Sequence, residues 1–265
     1  MSRSILYVYA IGQGMSLDDI SYLEESIDGT ELFGVVSAEG LDAVCTAVEA
    51  SQFSQEEIDR RSADLQWLGT LGYRHEAVVA QLTQKFSVIP LRAFTLFSSP
   101  EALRQYLSAE AARLLRVLEQ VRGKDEWTLR LEFDPETWQS SLSRRVEALR
   151  ILEDDIAASP TGKAYLLKKK LEEGRKKAAR DAEQAVVAEV ERALSESLDV
   201  PTVTETRQRK AGSFPQINVL IPRERSAELR ALHQSLRLRY EPEGVSLVLT
   251  GPWPPYTFTS GESHG

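Results

Sequence analysis

Cysteine and histidine are scarce in this chain. One cysteine, Cys45, and three histidines, His75, His233 and His264, stand among 265 residues. A lone cysteine closes no disulfide within the chain, which suits a reducing compartment. A zinc site needs three or four converging ligands, and no His/Cys spacing here supplies even a pair. The histidines therefore read as satisfied or solvated, and Cys45 as a small buried hydrophobe. Long apolar runs are missing too, and nothing approaches the roughly 18 apolar residues that span a bilayer. The start, Met1-Ser2-Arg3-Ser4 and a short apolar run, lacks the h-region and cleavage site of a secretory signal. These absences predict a cytoplasmic protein with no membrane partner. Positive charge is in deficit, thirty-two Lys and Arg against forty Asp and Glu, a net charge of −8. That balance favours solubility and argues against nucleic acid bound over the whole surface.

Catalytic signatures are equally sparse. Gly12-Gln13-Gly14 follows a strand pattern, as a dinucleotide loop does, but Leu17 stands where the third glycine is required. There is no phosphate-binding lysine loop and no nucleophile elbow. The acidic pairs Asp18-Asp19, Glu56-Glu57 and Asp154-Asp155 lie in polar contexts and read as solvated. The expectation is a protein that is not an enzyme and takes no cofactor or metal.

The sequence does hold enough apolar residues, 42%, to build cores for two domains of ordinary size. Ile5 to Ile11 is a continuous apolar run, predicting a strand buried on both faces. Leu32–Ser37 and Leu41–Val48 flank Glu39-Gly40 as in a hairpin, although the second run also fits a short helix. Glu56 to Lys85 is helical in pattern, with a break expected at Gly69 and Gly72. Phe86 to Phe97 is apolar, with Pro90 marking an edge or bend. Ser99, Pro100 and Glu101 open a helix that Gly123 ends. Trp127, Leu129, Leu131 and Phe133 then alternate as on a half-buried strand. Asp134-Pro135-Glu136 opens a helix interrupted at Ser159–Gly162, and a second helix runs from Lys163 to Leu198. Val200–Arg209 and Gln216–Ile221 read as strands around Gly212, Arg223–Tyr240 as a helix and Val245–Thr250 as a last strand. The class is α+β in two domains. A mixed α+β domain covers 1–123, and a ferredoxin-like (βαββαβ) domain with a lengthened helical crossover and docked aromatic tail covers 124–258; 259–265 form a flexible tail.

Two features stand out. Lys163, Lys168, Lys169, Lys170, Arg175, Lys176, Lys177 and Arg180 face two acidic residues, Glu172 and Glu173, leaving +6 over Lys163–Arg180. A solvated face is the common meaning of such a run. The functional alternative is a docking surface for an acidic partner, and less readily a nucleic-acid-binding module, on the expectation that this helix brings no aromatics to the cluster. The second feature is Gly251-Pro252-Trp253-Pro254-Pro255-Tyr256-Thr257-Phe258. Its prolines stiffen an extended form and its aromatics need burial, so Trp253 is expected to be largely buried on its own protein.

Several stretches in order carry a family resemblance. They are Tyr7–Ile11, His75-Glu76-Ala77-Val78-Val79, Val88-Ile89-Pro90-Leu91-Arg92, Gly123–Leu131, Gly162–Leu166 with Lys169-Lys170, and the Gly251–Phe258 ending. With these the chain resembles the GvpF/GvpL family of gas vesicle proteins. One departure follows Pro90-Leu91-Arg92, where the family has an aromatic, a glycine and a threonine and this chain has Ala93-Phe94-Thr95. The resemblance implies two α+β domains, the second ferredoxin-like. It implies a non-enzymatic accessory or minor shell role in gas vesicle formation. The implied partners are the small hydrophobic shell protein and other gas vesicle proteins during nucleation. Pro90, Leu91, Arg92, Trp253, Pro254, Pro255 and Tyr256 are its structural motif residues.

Overall fold

The computed structural model describes residues 4–205 and 214–259. The expected turn at Gly212, the strand end at Arg209, and His264 lie outside the described residues. The chain divides into two compact units, one made of 1–126 with 252–265 and the other of 127–251. The division thus falls three residues beyond Gly123, and it returns the chain end to the first unit.

The first unit is organised by β1 (Ser4–Gly12), the centre of an antiparallel sheet. Its neighbour β3 (Leu41–Glu49) pairs in turn with β2 (Gly34–Ala38). Glu39 and Gly40, both at positive φ (54° and 74°), turn the β2–β3 hairpin. Two successive positive-φ residues match the strand twist, which is why this hairpin was legible. Along the other edge of β1 run β4 (Ile89–Pro90) and β5 (Leu96–Phe97), interrupted by residues 91–95. Pro90 has no N–H to donate and occupies the sheet edge, as expected.

Both faces of β1 are buried. Leu6, Val8 and Ile11 pack toward α3 (Pro100–Val121), with Leu103, Leu107 and Leu114. Tyr7, Tyr9 and Ala10 pack toward α2 (Leu65–Lys85), with Val78, Val79 and Leu82. Strict alternation would send Tyr9 and Ala10 to opposite faces. The register shifts between Val8 and Ala10, a bulge that resets the alternation. Ser99 caps α3 through its side chain, accepting from the Ala102 N–H.

The expected break at Gly69 and Gly72 is displaced. A short α1 (Gln55–Arg61) ends before Asp64, whose carboxylate caps α2 by accepting from the Gln66 and Trp67 N–H groups. The helix then runs through both glycines. Each costs only about 1 kcal/mol in a helix, whereas Asp64 satisfies two otherwise orphaned donors.

The second unit is a four-stranded antiparallel sheet with strand order β7-β8-β6-β9, formed by β6 (Lys124–Phe133), β7 (Thr202–Glu205), β8 (Gln216–Pro222) and β9 (Val245–Trp253). Trp127, Leu129 and Leu131 of β6 alternate onto one face beside Ile217, Val219 and Ile221 of β8. Covering that face are α4 (Pro135–Arg145), the C-terminal half of α6 (Thr161–Leu198) and α7 (Ser226–Tyr240). The helix expected to run unbroken to Ser159 is divided at Val146, in extended backbone (φ −96°, ψ 97°), with α5 (Glu147–Ala157) beyond it. No Gly or Pro marks that break; Val146 instead packs against the sheet core.

Candidate functional site

The motif stretches of the first unit converge on one buried histidine. His75, on α2, is fully buried, with its ring nearly parallel to that of Tyr9 and edge-on to that of Tyr7. Its Nε2 lies 2.9 Å from the Leu91 carbonyl, which can only accept, so Nε2 carries the hydrogen. Nδ1 is then the acceptor, and the Tyr7 hydroxyl donates to it at 2.9 Å. The Tyr7 oxygen in turn accepts from the Phe94 N–H at 3.2 Å. On the other side, the Tyr256 oxygen lies 3.3 Å from Nε2, and the Tyr256 hydroxyl donates to Glu76 Oε1 at 3.0 Å. A second branch runs through Tyr9, whose hydroxyl donates to Thr46 and accepts from the Ile27 N–H.

Burial sets the electrostatics here. Desolvation holds His75 below its ordinary value, so its neutral form prevails, against smaller opposite pulls from the Leu91 hydrogen bond and Glu76. It pushes the Tyr9 phenol up to about 12 and raises Tyr7 and Tyr256 further. None of these groups titrates as an acid near neutrality, and the His75 nitrogens are both engaged. This arrangement positions chain segments; it does not present a reactive group. Cys45 is likewise buried, its thiol pushed up to about 11 by desolvation, as a structural cysteine should be. Among the described residues, no group of three or more His, Cys, Asp or Glu side chains is placed to hold a metal ion.

The aromatic ending departs from expectation in one respect. Trp253 is 48% exposed, not buried, because β9 continues through it and leaves the ring at the strand end. Burial falls instead on Pro254 and Pro255, and Tyr256–Thr259 form a short helix, α8, in place of the extended form predicted. The Thr257 N–H and hydroxyl both donate to the buried Glu126, at 2.9 and 2.6 Å. Pro90 and Leu91 are drawn into the same region: Leu91 donates its N–H to Tyr9 O, while Arg92 accepts from Thr95 through its carbonyl.

The basic cluster lies in the second unit, on the N-terminal half of α6. That half packs against α5, where Leu149 lies close to Gly174. Arg175 pairs with Glu153 and Lys176 with Glu172. Lys163, Lys168, Lys169, Lys170 and Lys177 are exposed and carry no ion pair among the described residues, and Arg180 is exposed, bonded to the Lys176 carbonyl. Contrary to expectation, an aromatic does stand on this helix, within the cluster: Tyr165 is 72% exposed, and Leu166 beside it 67%. Both belong to the motif stretch Gly162–Leu166, and two large apolar residues just ahead of a lysine triplet were a visible signal that the cluster is not purely charged. No helix among the described residues is long and apolar enough to cross a membrane.

Comparison with known proteins agrees with the motif stretches. Residues 5–260 match the family described as gas vesicle synthesis protein GvpL/GvpF. Gas vesicle protein L2 of Halobacterium salinarum is 28% identical, over 95% of this chain and 90% of its own length. Gas vesicle protein L of a Streptomyces species is 29% identical, over 82% and 79%. The crystal structure of gas vesicle protein GvpF from Anabaena superposes with a TM-score of 0.73 at 15% identity, over 97% of this chain and 98% of that one. That from Microcystis aeruginosa gives 0.68 at 14%, over 97% and 99%. At such identities the structural likeness speaks for the fold, while the family match spans almost the whole sequence. The chain belongs to the GvpL/GvpF family of gas vesicle synthesis proteins.

Proposed function

We propose that this protein acts without catalysis or cofactor as an accessory or minor structural component of gas vesicles. In this reading it works from the cytoplasm, binding the small hydrophobic shell protein and other gas vesicle proteins while a vesicle is nucleated. Family membership gives the gas-vesicle-related role. The observation that carries the finer reading is the outward row of α6 lysines, Lys163, Lys168, Lys169, Lys170 and Lys177, which form no ion pair among the described residues. An aggregation-prone shell subunit needs a partner that holds it before assembly. We read the second unit as ferredoxin-like, from its β-helices-β-β-α-β chain order and its strand order. Pro90, Leu91, Pro254, Pro255 and Tyr256 serve the frame of the first unit in this account.

Co-expression with the shell protein, followed by capture, tests the reading. Reversing Lys168, Lys169, Lys170 and Lys177 to Glu should reduce capture on the order of ten-fold or more. Capture by the unaltered chain should weaken as salt shortens screening to about 8 Å and below. Stability should scarcely change, because exposed charges contribute little to folding. Capture unaffected by the four reversals would return the cluster to a solvated face.

A further inference from the structure

The basic face of α6 has a counterpart within the same sequence. Residues 16–32 join β1 to β2 and hold six acidic residues, Asp18, Asp19, Glu24, Glu25, Asp28 and Glu31, and no Lys or Arg. Ile20, Leu23 and Ile27 anchor this segment in the core beneath. All six acidic residues remain exposed. Some are committed locally: Glu25 pairs with Arg74, Asp19 bonds to Ser16, and Asp28 bonds to Ser26 and Thr30. Asp18, Glu24 and Glu31 carry no ion pair among the described residues. Two cations lie against the segment: Arg74, already paired with Glu25, and Lys85, seated over the Tyr22 ring and lending charge to Asp19. At the two ends of the segment Leu17 and Leu32 stand out, 57% and 74% exposed.

The α6 surface mirrors this pattern with opposite charge. At about 100° per residue, Lys163, Lys169, Lys170 and Lys177 fall on one half of the helix with Tyr165 and Leu166, turned about 80–160° away from the buried Leu171. Lys163, Lys170 and Lys177 recur every seven residues, a straight row with steps of about 10.5 Å. Each surface therefore combines a run of unpaired charge with two large exposed apolar side chains. Net +6 over Lys163–Arg180 meets net −6 over 16–32. Desolvating leucine and tyrosine adds what screened charges alone do not.

We infer that the α6 face of one molecule docks on the acidic 16–32 segment of a second copy of this chain. Donor and acceptor surfaces differ, so the contact is head-to-tail; each molecule keeps one of each free, and association is open-ended unless a ring closes. The inference rests on the reading of α6 as a docking face, and names one occupant of it. A surface this narrow belongs with weak, transient interfaces, so association grows with concentration at low salt and recedes as salt rises.

Sedimentation velocity on the full chain tests it, with three variants confined to exposed side chains. They are Lys163→Gln/Lys169→Gln/Lys170→Gln on the N-terminal half of α6, the arm of the contact, Tyr165→Ser/Leu166→Ser at its apolar end, and Asp18→Asn/Glu24→Gln/Glu31→Gln on the acidic segment. The unaltered chain should self-associate, with affinity falling on the order of ten-fold between low and high salt. Each variant alone should stay monomeric at the same concentrations, and circular dichroism should show it folded. Mixing the arm variant with the acidic-segment variant should restore a 1:1 pair that grows no further, because one good surface remains on each. A wild-type chain that is monomeric throughout, self-association that survives any of the variants, or a mixture that does not pair overturns the inference. Shell-protein capture separates the two readings. Arm-dependent capture without self-association sinks only this inference, and arm-dependent self-association with arm-independent capture sinks only the proposed function.

Discussion

Phe94 shows how a single residue departs from its neighbours' logic. Its φ of +66° is a left-handed conformation that costs a side-chain-bearing residue about 1–2 kcal/mol. It stands at the position where the resemblance leads one to expect glycine. In exchange its ring packs against Trp67 and Tyr7, and its N–H reaches the Tyr7 hydroxyl. Phe94→Ala should lose the ring and keep the strain, whereas Phe94→Gly should lose the ring and relieve it. Both variants should be less stable than the parent, with glycine about 1 kcal/mol above alanine in urea unfolding, the reverse of the usual order. Equal stabilities would mean the turn is not strained. His75 adds a pH dependence at the same scale. Its folded value lies below the ordinary 6.5 because burial disfavours the charged ring. Below pH of about 6.5 the unfolded chain therefore takes up a proton that the folded chain refuses, and stability falls. The contribution is complete above that pH and is lost as pH drops toward the depressed folded value, at no more than about 1.4 kcal/mol per pH unit. Urea midpoints at pH 7.5, 6.0 and 5.0 should show this slope, and His75→Gln should flatten it. An unchanged slope in His75→Gln would assign the effect to other groups.

At the scale of elements, what the sequence disclosed was local. β1 and β6 could be read because their apolar patterns, continuous and alternating, are set by burial on two faces and on one. The starts of α3 and α4 could be read because Ser99 and Asp134 are caps that bond within three residues. The Glu39-Gly40 turn is likewise a two-residue event. The division at Val146 could not be read, since it answers to packing against a distant sheet and to no breaker in its own neighbourhood. The strands β4 and β5 are two residues each and gain their identity only from β1. The hydrogen-bonded cluster was hidden for the same reason. Tyr7 and His75 lie 68 residues apart, and His75 and Tyr256 181 apart. Their presence in the motif stretches was legible; that those stretches meet was not. α6 combines both cases. Its C-terminal half holds Val186, Val190 and Leu194 in the core, apolar residues four apart on one face of the helix. Its N-terminal half rests on α5 and leaves a charged face outward, which composition announced without saying what meets it.

The whole molecule raises a question of connectivity. The first unit is assembled from two stretches of chain, 1–126 and 252–265, separated by the entire second unit. Joining distant stretches carries a loop-closure cost that grows only slowly with the length between them, so the contacts of the returning segment must outweigh it. Those contacts are specific. Pro254, Pro255 and Thr259 are buried, and Tyr256 packs on the aromatic side of β1 while bonding to Glu76. Thr257 gives two hydrogen bonds to the buried carboxylate of Glu126. Hydrogen bonds to a charged group contribute about 1.5–3 kcal/mol, and the partial burial of Tyr256 adds about 1–2 kcal/mol at 25 cal/mol per Å². The prolines restrict the unfolded chain as well, which lowers the ordering cost. Ending the chain after Gly251 should therefore destabilise the first unit by about 2–4 kcal/mol. Glu126 would keep its burial and lose two of its hydrogen bonds, and His75 would lose a neighbour. The second unit owns none of these contacts and should be spared. Amide hydrogen exchange separates the two responses. Protection should fall at Tyr7, Tyr9 and Leu91 in the truncated chain, and hold at Leu129, Ile217 and Val219. Uniform loss across both sets would mean that the units do not fold separately. No loss at Tyr7 and Leu91 would mean that the returning segment merely lies on a unit already complete without it.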